Sequence, residues 1–208
     1  MTTHRTTTIY FVRHGEYENP DKIVAWRLPG FPLSDQGRKD IEKLGKYFID
    51  KNIEVIYSSP ILRTKQSADI LGKILGLKIM ENPLIQEIYT PMQDQRVTYK
   101  ELFKKRTIPY GEEFHIQNKG ENFEEIFNRV NKLVNQVLVE YKDKNIIFVS
   151  HGDPIMIFWY KMLGKVFGFE ELLDGDDYIP KSGIIKFVFD NSKFIRSERI
   201  DIISQPLR

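Results

Sequence analysis

Short, continuously apolar runs alternate along the chain with segments in which apolar residues recur every three or four positions. Continuous apolar runs are typical of strands buried in a parallel sheet, and the three-four spacing is typical of amphipathic helices. Their alternation predicts an α/β fold with a mainly parallel central sheet. The predicted strands cover residues 8–13, 55–58, 77–80, 145–149, 183–189 and 194–203.

The predicted helices lie between these strands. The strongest periodicity is in residues 123–141, where apolar side chains keep the three-four spacing throughout. The other predicted helices are residues 62–75, a helix that Ser34 or Asp35 caps and that runs to about residue 51, and a helix with Asp153 as N-cap and Pro154 as its first residue.

Residues 88–120 are polar and irregular, and a helix is suggested there only over residues 97–106. We expect a single domain over residues 1–208 in which residues 88–120 form a cap insertion over the site and set its specificity. The basic run KELFKKR at residues 100–106 either attracts an anionic substrate or forms a solvated helix face, and we expect the solvated face.

Composition narrows the class of protein. Hydrophobic residues make up 41% of the chain and charged residues 29%, and the mean hydropathy is -0.39, which favours a soluble globular protein with a sizeable core. Lys and Arg number 31 against 29 Asp and Glu, a net charge of +2, which argues against a nucleic-acid partner. The lack of cysteine excludes disulfides, thiolate metal sites and a cysteine nucleophile.

The most apolar window, residues 146–163, contains His151, Asp153 and Lys161, which a transmembrane helix rarely carries. The N-terminal residues lack the apolar stretch of a signal peptide. We therefore expect a cytoplasmic protein with no membrane partner, and the sequence leaves its oligomeric state open.

Two predicted strands end in a histidine-glycine pair, Arg13-His14-Gly15 and His151-Gly152. In open α/β sheets, ligands bind at the carboxyl ends of the strands, so both histidines are expected at the edge where a site forms. A glycine after each histidine lets the backbone turn sharply and approach a ligand. Two such pairs on one edge favour functional over structural histidines.

Arg63 lies in the first turn of the helix that leaves the second strand, near the same edge. The planar guanidinium matches the geometry of phosphate oxygens. Arg13, Arg63 and the two histidines therefore predict an anion pocket in which phosphate is the natural ligand, and helix N-termini add positive potential.

With these residues in place, the chain resembles the histidine phosphatase superfamily, also called the phosphoglycerate-mutase-like family. The motifs that carry the resemblance are RHGE at 13–16, LPGFPLSDQG at 28–37, IYSSPILRTKQSA at 56–68, PLIQEI at 83–88, GENFEEIFNRV at 120–130 and FVSHGDPI at 148–155. The resemblance implies a three-layer α/β/α sandwich of the phosphoglycerate-mutase-like type, and this is the expected fold.

The resemblance also implies a role for particular residues. His14 would be the nucleophile that forms a phosphohistidine, and Arg13, Arg63 and His151 would bind the phosphoryl oxygens. Glu87 would donate a proton to the leaving oxygen and then activate water. Two arginines would supply the positive charge that a metal supplies elsewhere, so neither a metal nor another cofactor is expected.

Asp153 competes with Glu87 for the role of proton donor, although we interpret it as a helix N-cap. Its separation from His151 by Gly152 places the chain outside the acid-phosphatase branch, in which histidine and aspartate are adjacent.

The chain departs from the family in segments that select the substrate. Tyr17 stands where many members of the family have serine or threonine, and it either lines the pocket or packs beside it. Asn19 lies one position early; we include it among the phosphate-binding candidates. The segment EIYTPMQDQRV at residues 87–97 replaces the tyrosine-glycine, leucine and asparagine-lysine signature of the mutases, and GEN at 120–122 replaces the usual GES.

The hypothesis is a metal-independent phosphatase that hydrolyses a small phosphomonoester through a phosphohistidine on His14. The alternatives are a cofactor-dependent phosphoglycerate-type mutase and a phosphate-binding regulatory module with little turnover. Outside the motifs, His4 and His115 are expected to be exposed, and the Asp176-Asp177 pair is expected in a solvated loop rather than at a metal.

Overall fold

A computed structural model describes residues 6–104, 119–168 and 178–203, and side chains are described outside residues 102–104. His4, His115, Asp176, Asp177 and part of the basic run at 100–106 lie outside the described residues and side chains, so the expectations for them stay untested.

In the described part of the chain, the core of the fold is a six-stranded mixed sheet. Its strands are β1 Thr7–Arg13, β2 Ile53–Ser58, β3 Ile79–Glu81, β4 Asn145–Ser150, β5 Ile184–Asp190 and β6 Lys193–Ile200. They lie in the order β3-β2-β4-β1-β5-β6. β3, β2, β4 and β1 are parallel, whereas β5 and β6 are antiparallel to their neighbours, which confirms the mainly parallel sheet.

Helices cover both faces of the sheet. Those within the described residues are α1 Asp35–Phe48, α2 Leu62–Leu75, α3 Tyr99–Lys104, α4 Phe123–Glu140 and α5 Gly152–Met162. Alternate residues of β1 point to opposite faces. Phe11 packs in the cluster formed with α4 and α5, whereas Val12 packs in the cluster formed with α1 and α2. The three-layer α/β/α sandwich is therefore confirmed.

Some predicted boundaries were wrong for local reasons. α1 begins after Ser34, whose hydroxyl accepts from the Gly37 N–H, but it ends at Phe48, and a 3-10 turn over Ile49–Lys51 follows. β3 begins at Ile79 rather than at residue 77, because the Leu77 N–H donates to the Gly72 carbonyl at the end of α2.

The predicted N-cap of the last helix was also wrong. α5 begins at Gly152, its N-cap is His151, and Asp153 lies inside the first turn. The chain passes from β4 into α5 with only His151 between them, which leaves no room for a later cap. Asp153 is thereby free of a capping role, and its carboxylate accepts a hydrogen bond from the Tyr178 hydroxyl.

The carboxyl ends of β1 and β4 lie side by side, with Arg13 in register with Ser150. His14 and His151, the next residues on each strand, are therefore adjacent, as expected from the two histidine-glycine pairs. Within the described residues, no helix is long and apolar enough to span a membrane.

Candidate active site

His14 lies at the centre of the sheet edge with only 2% of its surface exposed. Its Nδ1 lies 2.8 Å from the Gly15 carbonyl, which can only accept, so the ring proton is on Nδ1 and Nε2 carries a lone pair. Burial, and then the charges of Arg63 and Arg13, hold the His14 pKa well below its usual range. The imidazole is therefore neutral and has a nucleophilic nitrogen at neutral pH.

The loop after His14 needs glycine. A Cβ at Gly15 would lie 2.8 Å from the carbonyl oxygen of Gly37 in the first turn of α1, closer than side chains approach backbone. The Gly15 N–H donates to the Ser67 hydroxyl of α2 at 3.1 Å. These contacts fix the loop between two helices and thereby fix the imidazole of His14.

Arg63 connects the two histidines from the first turn of α2. Its Nε donates to His14 Nε2 at 3.1 Å, and its Nη2 donates to His151 Nδ1 at 3.1 Å and to the Trp26 carbonyl at 2.7 Å. Its Nη1 is buried and has no hydrogen-bond partner among the described residues. The guanidinium therefore has a donor left to offer a ligand.

His151 is fully buried, and its ring lies 5.2 Å from that of His14. Because Arg63 can only donate, His151 Nδ1 is the acceptor; the ring proton is on Nε2 and is donated to the Ser59 hydroxyl at 2.9 Å. Burial, and then Arg63, hold the His151 pKa well below its usual range. Ser59 fixes the orientation of the ring, and sequence reasoning did not single it out.

Arg13 is held at the end of β1 with its Nη1 donating to the Ile179 carbonyl at 2.7 Å. Its guanidinium lies 5.1 Å from the ring centre of Tyr178, whose hydroxyl donates to Asp153 Oδ1 at 2.7 Å. Gly152 leaves room for that hydroxyl, because a Cβ there would collide with it. Arg13 Nε is buried without a hydrogen-bond partner among the described residues.

Glu87 follows the 3-10 turn Pro83–Ile85, and its side chain is 12% exposed. One oxygen accepts from the Ile88 N–H at 2.9 Å, and the other lies 3.8 Å from His151 Nδ1. Burial, reinforced by Asp153 and opposed by Arg63, raises the Glu87 pKa to about 8. Glu87 therefore holds a proton at neutral pH beside the histidine cluster.

Tyr17 lines this cluster, which answers the question that the sequence left open. Its ring centre lies 5.4 Å from that of His14 and 5.3 Å from the guanidinium carbon of Arg63. The ammonium of Lys181 lies 4.7 Å from the same ring. Burial, and then Arg13, lower the Lys181 pKa. The sequence offered no signal for Lys181, since it lies outside every motif.

The side chain of Asn19 forms hydrogen bonds within its own loop. Its amide nitrogen donates to the Ile23 carbonyl at 2.7 Å, and its amide oxygen accepts from the Ile23 N–H at 3.0 Å. These bonds close a turn in the loop after β1, and the assignment of Asn19 to phosphate binding stays a prediction.

Residues 88–120 approach the site where they are described. The Val24 N–H donates to the Val97 carbonyl at 2.9 Å, and the Tyr17 hydroxyl lies 3.4 Å from that of Tyr99. Among the described residues, no group of three or more histidine, aspartate or glutamate side chains is arranged to hold a metal ion.

The arrangement suits phosphoryl transfer. A neutral imidazole is flanked by two arginines with unpartnered donors, and a protonated carboxyl group lies at the second histidine. Arginine donors stabilise the charge on transferring phosphoryl oxygens, and the carboxyl group can protonate a leaving oxygen.

Comparison with known proteins agrees with this geometry. Residues 9–175 match the model of the histidine phosphatase superfamily (branch 1), and the chain belongs to this superfamily. It is 24% identical over 188 residues to the uncharacterized phosphatase PhoE of Bacillus subtilis (strain 168), covering 90% of this chain and 89% of that protein.

The chain is also 28% identical over 167 residues to phosphoserine phosphatase 1 of Hydrogenobacter thermophilus, covering 75% of this chain and 76% of that protein. Other relatives are named as probable phosphoglycerate mutases. The solved structure of Bacillus stearothermophilus YhfR has the same fold, with a TM-score of 0.79, 20% identity, and coverage of 91% of this chain and 94% of that one.

Proposed function

We propose that the protein hydrolyses a small phosphomonoester through a phosphohistidine formed on Nε2 of His14. The observation that carries this function is the neutral His14 imidazole, whose Nε2 faces the Arg63 guanidinium. A histidine placed only for structure would not need an unprotonated nitrogen beside two arginines and a protonated carboxyl group. The phosphatase names of PhoE and of phosphoserine phosphatase 1 support the same reaction.

In the first step, the phosphoryl oxygens displace the hydrogen bonds that Arg63 makes to the histidines. Nε2 of His14 attacks phosphorus, and the bond from phosphorus to the leaving oxygen breaks. Arg13 and Arg63 stabilise the charge on the phosphoryl oxygens, and His151 lies beside them. Glu87 gives its proton to the leaving oxygen, so an alcohol departs rather than an alkoxide.

In the second step, the Glu87 carboxylate takes a proton from a water molecule, which attacks the phosphohistidine. The bond from phosphorus to Nε2 breaks, inorganic phosphate leaves, and Glu87 is protonated again for the next cycle. The Nδ1 proton of His14 stays on Nδ1 and is donated to the Gly15 carbonyl throughout, which keeps Nε2 available at the start of each cycle.

The charges around the site favour an anionic substrate. Lys181 adds a third positive charge beside Arg13 and Arg63, and it makes no ion pair within the described residues. A phosphomonoester that carries a second anionic group near the phosphoryl group matches three cations better than a singly anionic or neutral-tailed one.

The test is hydrolysis of a chromogenic aryl phosphate from about pH 5 to about pH 9 with excess chelator, comparing the wild type with His14→Ala. We expect turnover that resists the chelator and falls by at least about 10⁴-fold in His14→Ala, because removing a covalent nucleophile leaves only binding and charge stabilisation. His4→Ala, a histidine outside the motifs, is the matched control.

Substantial residual turnover in His14→Ala would overturn the nucleophile assignment. Loss of turnover with chelator would overturn the metal-independent reaction. A wild type that binds phosphate without releasing it, or that transfers a phosphoryl group from a bisphosphoglycerate to a monophosphoglycerate, would replace the phosphatase by a binding module or a mutase.

A further inference from the structure

The loop that carries Glu87 is held from behind by two arginines and a glutamate. Arg27 comes from the loop after β1, Glu121 immediately precedes the N-cap of α4, and Arg129 lies within α4. We call these three residues the clamp. Arg27 is distant in sequence from the other two, and in the described part of the chain none of the three makes a hydrogen bond or an ion pair to His14, His151, Arg13 or Arg63.

The clamp contacts the main chain of the proton donor directly. Arg27 Nε donates to the Glu87 carbonyl at 2.7 Å, and Arg129 Nη2 donates to the same oxygen at 3.3 Å. Arg129 Nη1 also donates to the Leu84 carbonyl at 2.7 Å, three residues earlier. The two arginines therefore hold the backbone both at Glu87 and at the turn that leads into it.

Glu121 joins the two arginines. Its Oε2 accepts from Arg27 Nη2 at 2.7 Å, and its Oε1 accepts from Arg129 Nε at 2.8 Å. Oε2 also accepts from the Tyr89 N–H at 2.8 Å, so the loop is tied on both sides of Glu87. The side chains are only 23%, 19% and 13% exposed for Arg27, Glu121 and Arg129, and a charged network satisfied in such surroundings is rigid.

We propose that the clamp positions the carboxyl group of Glu87 at the leaving oxygen by immobilising the backbone from which that side chain projects. The proposal rests on the proposed function, in which Glu87 is the proton donor. The Glu87 carboxyl group itself has one oxygen on the adjacent Ile88 N–H, so its direction depends on where the backbone of residues 87 and 88 lies. The clamp residues are positioning residues, because they act through Glu87.

A purely structural role for the clamp predicts a different result. Structural loosening would lower stability and would weaken the reaction of every substrate to the same extent. In a positioning role the clamp lowers kcat/KM only for substrates that need a proton on the leaving oxygen, because kcat/KM covers the first step and not the attack of water on the phosphohistidine. An alkyl phosphate needs that proton, whereas an activated aryl phosphate leaves without it.

The experiment measures kcat/KM for an alkyl phosphate and for p-nitrophenyl phosphate in Glu121→Gln and Arg27→Lys. Each substitution is made in the wild type and in Glu87→Gln, and thermal unfolding is followed for all variants. Glu124→Gln is the matched control, because Glu124 lies on the first turn of α4 but pairs with Lys161 outside the clamp.

We expect each clamp variant to lose about 10- to 100-fold in kcat/KM for the alkyl phosphate and less than about threefold for the aryl phosphate, since misplacing a catalytic group by about 1 Å has an effect of this size. In the Glu87→Gln background the same substitutions should cost less than about threefold, because the group they position is gone. Glu124→Gln should match the wild type on both substrates.

Losses that are equal for the two substrates, or that multiply with the loss from Glu87→Gln, would overturn the clamp proposal. If Glu121→Gln does not fold, Arg27→Lys decides the matter, since it keeps the charge and removes only the geometry of the guanidinium donors. If Glu87→Gln itself fails to separate alkyl from aryl phosphates, the proton-donor assignment falls and the clamp proposal falls with it. If Glu87→Gln separates them and the clamp variants do not, only the clamp proposal falls.

Discussion

Arg63, which is buried, and Arg129, which is mostly buried, differ in where their guanidinium donors find acceptors. Arg129 distributes its donors over two carbonyls and both oxygens of Glu121. Arg63 donates to two imidazoles and one carbonyl, makes no ion pair within the described residues, and keeps Nη1 buried without a partner. The charge of Arg129 is paired with the carboxylate of Glu121, whereas the charge of Arg63 has no carboxylate partner within the described residues.

The difference separates an arginine whose donors are satisfied within the chain from one that keeps a buried donor without a partner among the described residues. A buried donor left without a partner costs about 1–3 kcal/mol, and more when it is charged. The fold tolerates that cost at Arg63, where phosphoryl oxygens would supply the missing acceptors. Arg129 has its acceptors in the chain itself, so it stabilises the fold without a ligand.

Substitution of the two arginines by methionine tests this comparison most directly. We expect Arg63→Met to lower kcat/KM by about 10³-fold, because donors aimed at developing charge contribute this much, and to leave the free energy of unfolding unchanged or higher. We expect Arg129→Met to lower the free energy of unfolding by about 3 kcal/mol, because it leaves part of the charge of Glu121 unpaired. Urea denaturation and steady-state kinetics measure the two effects. An equal loss of stability in both variants would break the comparison.

Glu87 joins the two regions, since its carbonyl faces Arg129 and its carboxyl group faces the histidines. With the Glu87 pKa raised to about 8, we expect kcat/KM for an alkyl phosphate to fall as the pH rises through about 8, because Glu87 loses the proton that it donates. Glu87→Gln should lower that kcat/KM by about 10²-fold and remove this limb of the pH profile.

Asp153→Asn is the matched control for Glu87→Gln, because Asp153 is the other buried carboxylate near the site. Asp153→Asn should leave the ratio of kcat/KM for aryl and alkyl phosphates as it is in the wild type. It should keep the high-pH limb but move it to lower pH, because Asp153 contributes to the raised pKa of Glu87. A profile whose high-pH limb disappears in Asp153→Asn and persists in Glu87→Gln would transfer the proton donor to Asp153.

Lys181 resembles Arg63 in this comparison, because it makes no ion pair within the described residues. Of the substitutions considered, that of Lys181 is expected to have the smallest effect. Lys181→Met should raise KM about tenfold for 3-phosphoglycerate and by less than about threefold for glycerol 3-phosphate, which replaces the carboxylate by an alcohol. A steady-state comparison of the two substrates measures this difference. Equal changes for both would mean that Lys181 acts on the phosphoryl group instead.

Hydrophobic spacing predicted most of the fold, because burial on a sheet or a helix imposes a period on the sequence. α2 has the predicted bounds, and the strand over Asn145–Ser150 differs by one residue from its prediction. The start of α5 was predicted wrongly. Asp153 and Pro154 have the residue types of an N-cap and first helical residue, but the helix already begins at Gly152, directly after the N-cap His151. The geometry of such a connection depends on the segments that pack around it, which are brought there by the tertiary structure.

The residues of the candidate site were predicted to different extents. Arg13, His14 and His151 follow from strand ends, and Arg63 follows from the start of a helix at the same edge. Glu87 depended on the resemblance to a family, because a carboxylate in a loop has no local signature. Ser59, Lys181 and Tyr178 were missed, since they enter the site only through contacts between distant segments.

The sequence by itself determined the class of fold and the edge of the sheet where the site lies, because strand period and strand ends are local features. It also determined that two histidines and two arginines meet there. The tertiary structure alone decided which groups are charged. Burial beside Arg63 keeps His14 neutral, and burial beside Asp153 keeps Glu87 protonated. Desolvation and charge proximity depend on distances between segments, which spacing along the chain does not contain.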